Sequence, residues 1–173
     1  MPSRGMICAI AIVVGILTVV SVIAGDVPEI RVEDKCDANT FPLDAGCTKE
    51  GGVTFEEFSK KLNPKDGGHG AWRFHFVHGA IEANEKLRVV NAGGSPHTFT
   101  KVATFGGGFV PTMSIPFGLQ TPIPECELPE ARTTFLLPGE QREVADLVGP
   151  LTAGTHHFQC CIHPWMRLDI EVR

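Results

Sequence analysis

The sequence predicts an all-β protein, a Greek-key β-sandwich with one short leading helix and an apolar N-terminal segment. Three observations carry that prediction. Gly (19) and Pro (13) are abundant in 173 residues, which favours many short strands joined by turns over a helical bundle. Apolar and polar residues alternate with period two, most cleanly at the C-terminus, where Leu168, Ile170 and Val172 interleave with Arg167, Asp169 and Glu171. About seven such segments, bounded by Gly and Pro turns, are the strand complement of a sandwich.

In chain order, Arg4 precedes an uncharged apolar run from Ile7 to Ala24, and Val22-Ile23-Ala24 before Gly25 resembles a small-residue cleavage site. Residues 1–24 therefore read as a signal peptide. An uncleaved membrane anchor is the alternative, since 18 residues from 7 to 24 approach the minimum span of a bilayer. Either reading places the rest of the chain outside the cytoplasm, periplasmic or secreted. Residues 25–52 read as an N-terminal extension with no legible function, stapled by Cys36 and Cys47. The domain proper is expected over 53–173. It opens with Thr54-Phe55-Glu56-Glu57, a capping box, followed by Phe55, Phe58 and Leu62 at helical spacing. That helix is expected to stop at Asn63-Pro64 and to cover one end of the sheet that follows.

Trp72, Phe74 and Phe76 alternate with Arg73 and His75, as a half-buried strand requires. Further strands are expected at Leu87–Val90, within 97–105, at 133–137, 140–148 and 155–160, and at the C-terminus. The Pro-rich stretch from 111 to 129 reads as a long irregular loop. No internal repeat is visible. The formal charge is −5, and removing residues 1–24 takes away only Arg4, giving −6. With no basic tract, a nucleic-acid partner is not expected.

Setting aside Cys8 in the apolar run, five of the six cysteines remain. An odd number in an oxidising compartment leaves one with a different task. The stretch Phe158-Gln159-Cys160-Cys161-Ile162-His163-Pro164-Trp165-Met166 supplies it. A thiolate, an imidazole and a thioether lie within seven residues at the entrance to the last strand. Such soft donors favour copper over magnesium or calcium. A second imidazole is available from His97, on the tight turn Gly93-Gly94-Ser95-Pro96-His97. Two His and one Cys in a trigonal set, with a weaker axial Met, form the blue-copper electron-transfer geometry. Zinc is the competing reading, disfavoured because Met is a poor zinc ligand and the first half offers a single His.

Cys160-x-x-His163-x-x-Met166, with Pro96-His97 after a Gly-rich turn, resembles the cupredoxin family, above all plastocyanin- and amicyanin-like domains, over roughly 71–173. The resemblance implies one copper ion, cycling between copper(I) and copper(II), held by His97, Cys160, His163 and Met166. It selects Cys160 over Cys161, because two residues must separate the Cys from the His. Neighbouring side chains on a strand face opposite ways. With Cys160 turned to the metal, Cys161 is available for a disulfide, Cys126 being one partner. Among Cys36, Cys47, Cys126 and Cys161 three connectivities stay open.

The resemblance also implies a one-electron carrier between a donor and an acceptor redox protein. His163 would then be the electron's exit near the surface, and Pro164 and Trp165 would border the partner's footprint. Trp165 also reads as simple packing. A copper-binding or copper-delivery protein is the alternative. An oxidase or reductase is not expected, because the chain contains no His-x-His pair. His75 and His157 alternate with residues that look buried and read as solvent-facing, and His69, His75, His78, His156 and His157 are not expected to form a second metal site.

Overall fold

A computed structural model of the chain describes residues 27–41, 47, 51–62, 71–114, 118–119 and 121–173. The apolar segment, its expected cleavage or anchoring, Cys8 and His69 lie outside them. Among the described residues no helix is long and apolar enough to cross a membrane.

Two four-stranded sheets make the sandwich. The first has the order β2 (Trp72–Phe76), β1 (Glu29–Asp34), β4 (Arg88–Asn91), β8 (Gln141–Glu143). The second has the order β3 (Ala80–Ile81), β10 (Arg167–Val172), β9 (Gly154–Gln159), β6 (Thr100–Val102). A two-stranded pair, β5 (His97–Thr98) with β7 (Phe135–Leu136), sits beside them. Among the described residues only β1–β2 and β9–β10 join sequential neighbours within a sheet, and the other connections cross over, as a Greek key does. The facing residues form one core: Ile30, Val32 and Val89 from one sheet meet Phe158, Ile170 and Val172 from the other. Phe99 bridges them, edge-on to Phe74 at 5.2 Å and stacked on Phe158 at 4.4 Å. Such pairs add to their area burial and fix the separation of the sheets.

The expected alternation holds in β2 and β10, where Trp72, Phe74, Ile170 and Val172 are buried. Helix α1 (Phe55–Lys61) starts on the predicted capping box: Thr54 accepts from the Glu57 N–H, and Glu57 accepts from the Thr54 N–H, both at 3.2 Å. The Pro-rich stretch is broken by a single turn of helix, α2 (Pro111–Ser114), and by a 3₁₀ turn at Pro124–Cys126, and a second 3₁₀ turn, Glu130–Thr134, follows it.

Two expectations need correction. The segment 140–148 is not one strand: β8 ends at Glu143 and a helical turn, α3 (Val144–Val148), follows. Val144 and Leu147, three apart, are its buried residues, which is helical rather than strand spacing. More consequentially, Glu29–Asp34, within the expected extension 25–52, is a strand of the domain itself. β1 pairs with β2 antiparallel and with β4 parallel, so it is an interior strand of the first sheet. Ile30 and Val32, both fully buried, hold it there.

Candidate metal centre

His97, Cys160 and His163 come from two places in the chain and meet at one end of the sandwich. His97 begins β5, pinned by a turn that buried side chains fasten. Asn91 donates to the carbonyls of Ser95 and Leu136 and accepts from the Gly93 N–H. Cys160 follows the last residue of β9, and His163 sits in the tight connection to β10. That connection closes on itself through Cys160 N–H to the Met166 carbonyl (3.1 Å) and Met166 N–H to the His163 carbonyl (2.9 Å).

The donor atoms converge. Cys160 Sγ lies 3.7 Å from His97 Nδ1 and 3.8 Å from His163 Nδ1, and the two Nδ1 atoms are 3.2 Å apart. Ligand atoms held about 2.1 Å from one ion in a trigonal plane stand about 3.6 Å apart, so these separations fit a single transition-metal ion. Among the described residues no other set of three His, Cys, Asp or Glu side chains gathers in this way. Cys160 is the one free cysteine among them, and it is fully buried. Met166 is also fully buried, within the same loop.

Hydrogen bonding prepares the sulfur as a thiolate. Backbone N–H groups of Thr98 and His163 each point at Cys160 Sγ from 3.4 Å. Burial by itself raises the Cys160 pKa, but the hydrogen bonds and charges of His163 and His97 outweigh it and hold the thiol well below its ordinary value. His163 is pushed down, chiefly by burial. His97 is raised to about 9: burial opposes this, and the carboxylate of Asp34 and the Cys160 sulfur overcome it. Asp34 itself is lowered, despite its burial, by His97 and by two backbone donors.

The cysteine pairs are Cys36–Cys47 and Cys126–Cys161. Cys161 faces away from the centre into a small second cluster with Cys126 and Ala131. Its N–H donates to Thr98 Oγ1 at 2.7 Å, which ties the metal-binding loop to β5. Gly108 packs so closely on the Cys161 carbonyl that a Cβ there would overlap it.

The exit expected at His163 is not at the surface. His163 is 2% exposed, Trp165 is 3% exposed and Pro164 is buried, so none of them presents a docking face. The rings of Trp72 and Trp165 stand 4.8 and 5.3 Å from that of His163. Phe58 of α1 packs over both, at 6.0 and 5.5 Å, and Phe41 stacks on Trp72 at 6.0 Å. The physical reason is that the helix and the segment after β1 lay an aromatic roof across this end of the sandwich.

The sequence reading missed Asp34, Thr98, Trp72 and Phe58 as parts of the site. Asp34 carried a usable signal: it shares the parity of Ile30 and Val32, so its carboxylate had to face inward. Three of the other histidines have ordinary partners. His157 Nδ1 meets Asp169 Oδ1 at 2.6 Å, His156 Nε2 meets the Thr152 carbonyl at 2.6 Å, and His75 stands 3.8 Å from Glu33.

No protein-family model and no curated protein matches the chain. Several solved structures do. A purple cupredoxin from Nitrosopumilus maritimus aligns with a TM-score of 0.41 at 13% identity, covering 84% of this chain and 99% of its own. A reduced amicyanin variant aligns at 0.33 and 17%, covering 54% and 67%. Oxidised plastocyanin from Dryopteris crassirhizoma aligns at 0.31 and 20%, covering 59% and 91%. The β-sandwich stands on this chain's own strand pairing and the centre on its own donor geometry.

Proposed function

We propose that this protein is an exported type 1 copper protein that passes single electrons between larger redox proteins. The observation that carries the reading is the dry convergence of His97 Nδ1, His163 Nδ1 and Cys160 Sγ, with the one free thiol among the described residues at its centre. Copper would be held by these three atoms, with the Met166 thioether as a fourth donor, and when bound it would supply a one-electron couple. The chain's part is to keep the donors fixed. The β5 turn holds His97, the Cys160–Met166 loop holds His163, and two N–H groups steady the sulfur. A set of donors that neither charge state has to rearrange lowers the cost of each electron step.

Burial supports this reading over its rivals. A copper-delivery protein hands its ion over by ligand exchange, which needs donors a partner can touch. An oxidase or reductase needs an open coordination position for its substrate. Here His97, Cys160 and Met166 are fully buried and His163 nearly so. Two disulfides support export into an oxidising compartment. The test is an optical titration of the purified protein with copper(II), followed by ascorbate. An intense visible charge-transfer band that saturates at one copper and bleaches reversibly is expected. Tight copper(I) binding with no reversible band would move the protein to copper handling.

A further inference from the structure

The far side of His97 is not left to water or to a neutral carbonyl. Its Nε2 meets Asp34 Oδ2 at 3.1 Å, with His97 fully buried and Asp34 1% exposed. The carboxylate is itself held in a cradle. Gly94 N–H donates to Oδ1 and Ser95 N–H to Oδ2, both at 2.6 Å, within the turn that delivers His97. Gly93 completes the cradle, because a Cβ there would overlap the carboxylate. Asp34 ends β1, where it pairs with Trp72 of β2, and β4 pairs with the same strand as far as Val32.

We propose that Asp34 is a positioning residue that fixes His97 with its proton on Nε2, presents Nδ1 to the metal, and biases the centre toward the more highly charged ion. The inference rests on the metal-binding reading above, but not on electron transfer. Two physical effects act together. An imidazole that donates its distal N–H to a carboxylate is locked in one tautomer and one ring orientation, and its other nitrogen becomes a stronger donor. The buried negative charge, screened little by solvent, also favours a divalent over a monovalent cation at the same site. A neutral acceptor in place of Asp34 would supply the first effect in part and the second not at all. β1 thus contributes to the centre without contributing a ligand.

The test compares the full-length protein with its Asp34→Asn variant, which keeps an acceptor oxygen and removes the charge. Affinities for zinc(II) and copper(I) are measured separately by chelator competition, neither of which requires the site to cycle. Zinc(II) affinity is expected to fall 10- to 100-fold, on the order found for such outer partners, and copper(I) affinity to fall by at least tenfold less. If the copper couple is reversible, each tenfold difference appears as a midpoint potential about 59 mV higher in the variant. Equal losses for both ions would mean that Asp34 only supports the turn, and no loss for either would remove its role altogether. Should Asp34→Asn not fold, nitrogen-edited NMR of the zinc-loaded natural protein decides. A slowly exchanging His97 Nε2–H, far downfield, supports the inference, and its absence overturns it. A silent copper couple together with the expected affinity split would defeat the electron carrier and leave Asp34 in its place.

Discussion

Phe58→Ala is the substitution that asks most of the aromatic roof. Phe58 is the buried residue of α1 and is 2% exposed, with its ring 5.4 Å from Phe41, 6.0 Å from Trp72 and 5.5 Å from Trp165. Burying an aromatic side chain of this size removes roughly 150–250 Å² from water, worth about 4–6 kcal/mol at 25 cal/mol per Å². Alanine retains a little of that area, and a seven-residue helix with a single buried anchor can lift away and relieve part of the cavity. The expected loss is therefore about 3–5 kcal/mol, a large share of the 5–15 kcal/mol that a domain has. Urea unfolding of the metal-free protein, followed by tryptophan fluorescence, measures it directly, since both tryptophans touch Phe58. Phe58→Leu, which refills most of the volume, should lose less than about 1.5 kcal/mol. A second readout concerns access: azide should leave the copper(II) spectrum of the natural protein unchanged and alter that of Phe58→Ala. A loss under about 1 kcal/mol at unchanged urea dependence, with a spectrum still indifferent to azide, would refute the idea that α1 seals the centre.

The two adjacent cysteines predict opposite outcomes. Cys160→Ser should abolish the visible band, whereas Cys126→Ser with Cys161→Ser should keep it and lower stability by about 2–4 kcal/mol, the constraint expected of a bridge between residues 35 apart; absorption spectra and urea midpoints check both. Met166→Leu preserves volume and leaves the His97, His163 and Cys160 donors, so an intense band should survive while the midpoint potential rises, as spectroelectrochemistry would measure. Gly108→Ala should destabilise the fold by about 1–3 kcal/mol or more, because a methyl group there meets the Cys161 carbonyl rather than a flexible side chain; thermal unfolding reads it.

What was legible in the sequence was whatever short range decides. Leu168, Ile170 and Val172 declared β10 because each turns inward two residues after the last, and Thr54 and Glu57 declared α1 through a bond three residues long. Cys160, His163 and Met166 could be read together because one loop carries them, and His97 because its turn is rich in Gly and Pro. The interior place of β1 was not legible. Its two apolar residues, Ile30 and Val32, alternate with charges that pair on the outer face of the sheet, Arg31 with Glu29 and Glu33 with Arg73. Its partners begin far ahead in the chain, at Trp72 and Arg88. The roof was hidden for a related reason: Phe41, Phe58, Trp72 and Trp165 each look like ordinary core residues, and only tertiary packing gathers them over His163. Burial of His163 then overturned an expectation carried by resemblance alone.

The neighbouring positions of Cys160 and Cys161 also bear on how the chain matures. Five thiols outside the apolar segment enter folding together, and any bridge that captures Cys160 deprives the centre of its sulfur. β9 does the sorting. Pairing of Gln159 with Arg167 and of Phe158 with Leu168 sends one thiol toward His97 and its neighbour toward Cys126. A slip of one residue in that pairing would exchange them, leaving the bridge where the ion belongs. Correct oxidation is thus a consequence of strand register, and agents that reshuffle disulfides before β9 and β10 have zipped would yield a chain that carries two bridges, one of them misplaced, and is unable to take up metal.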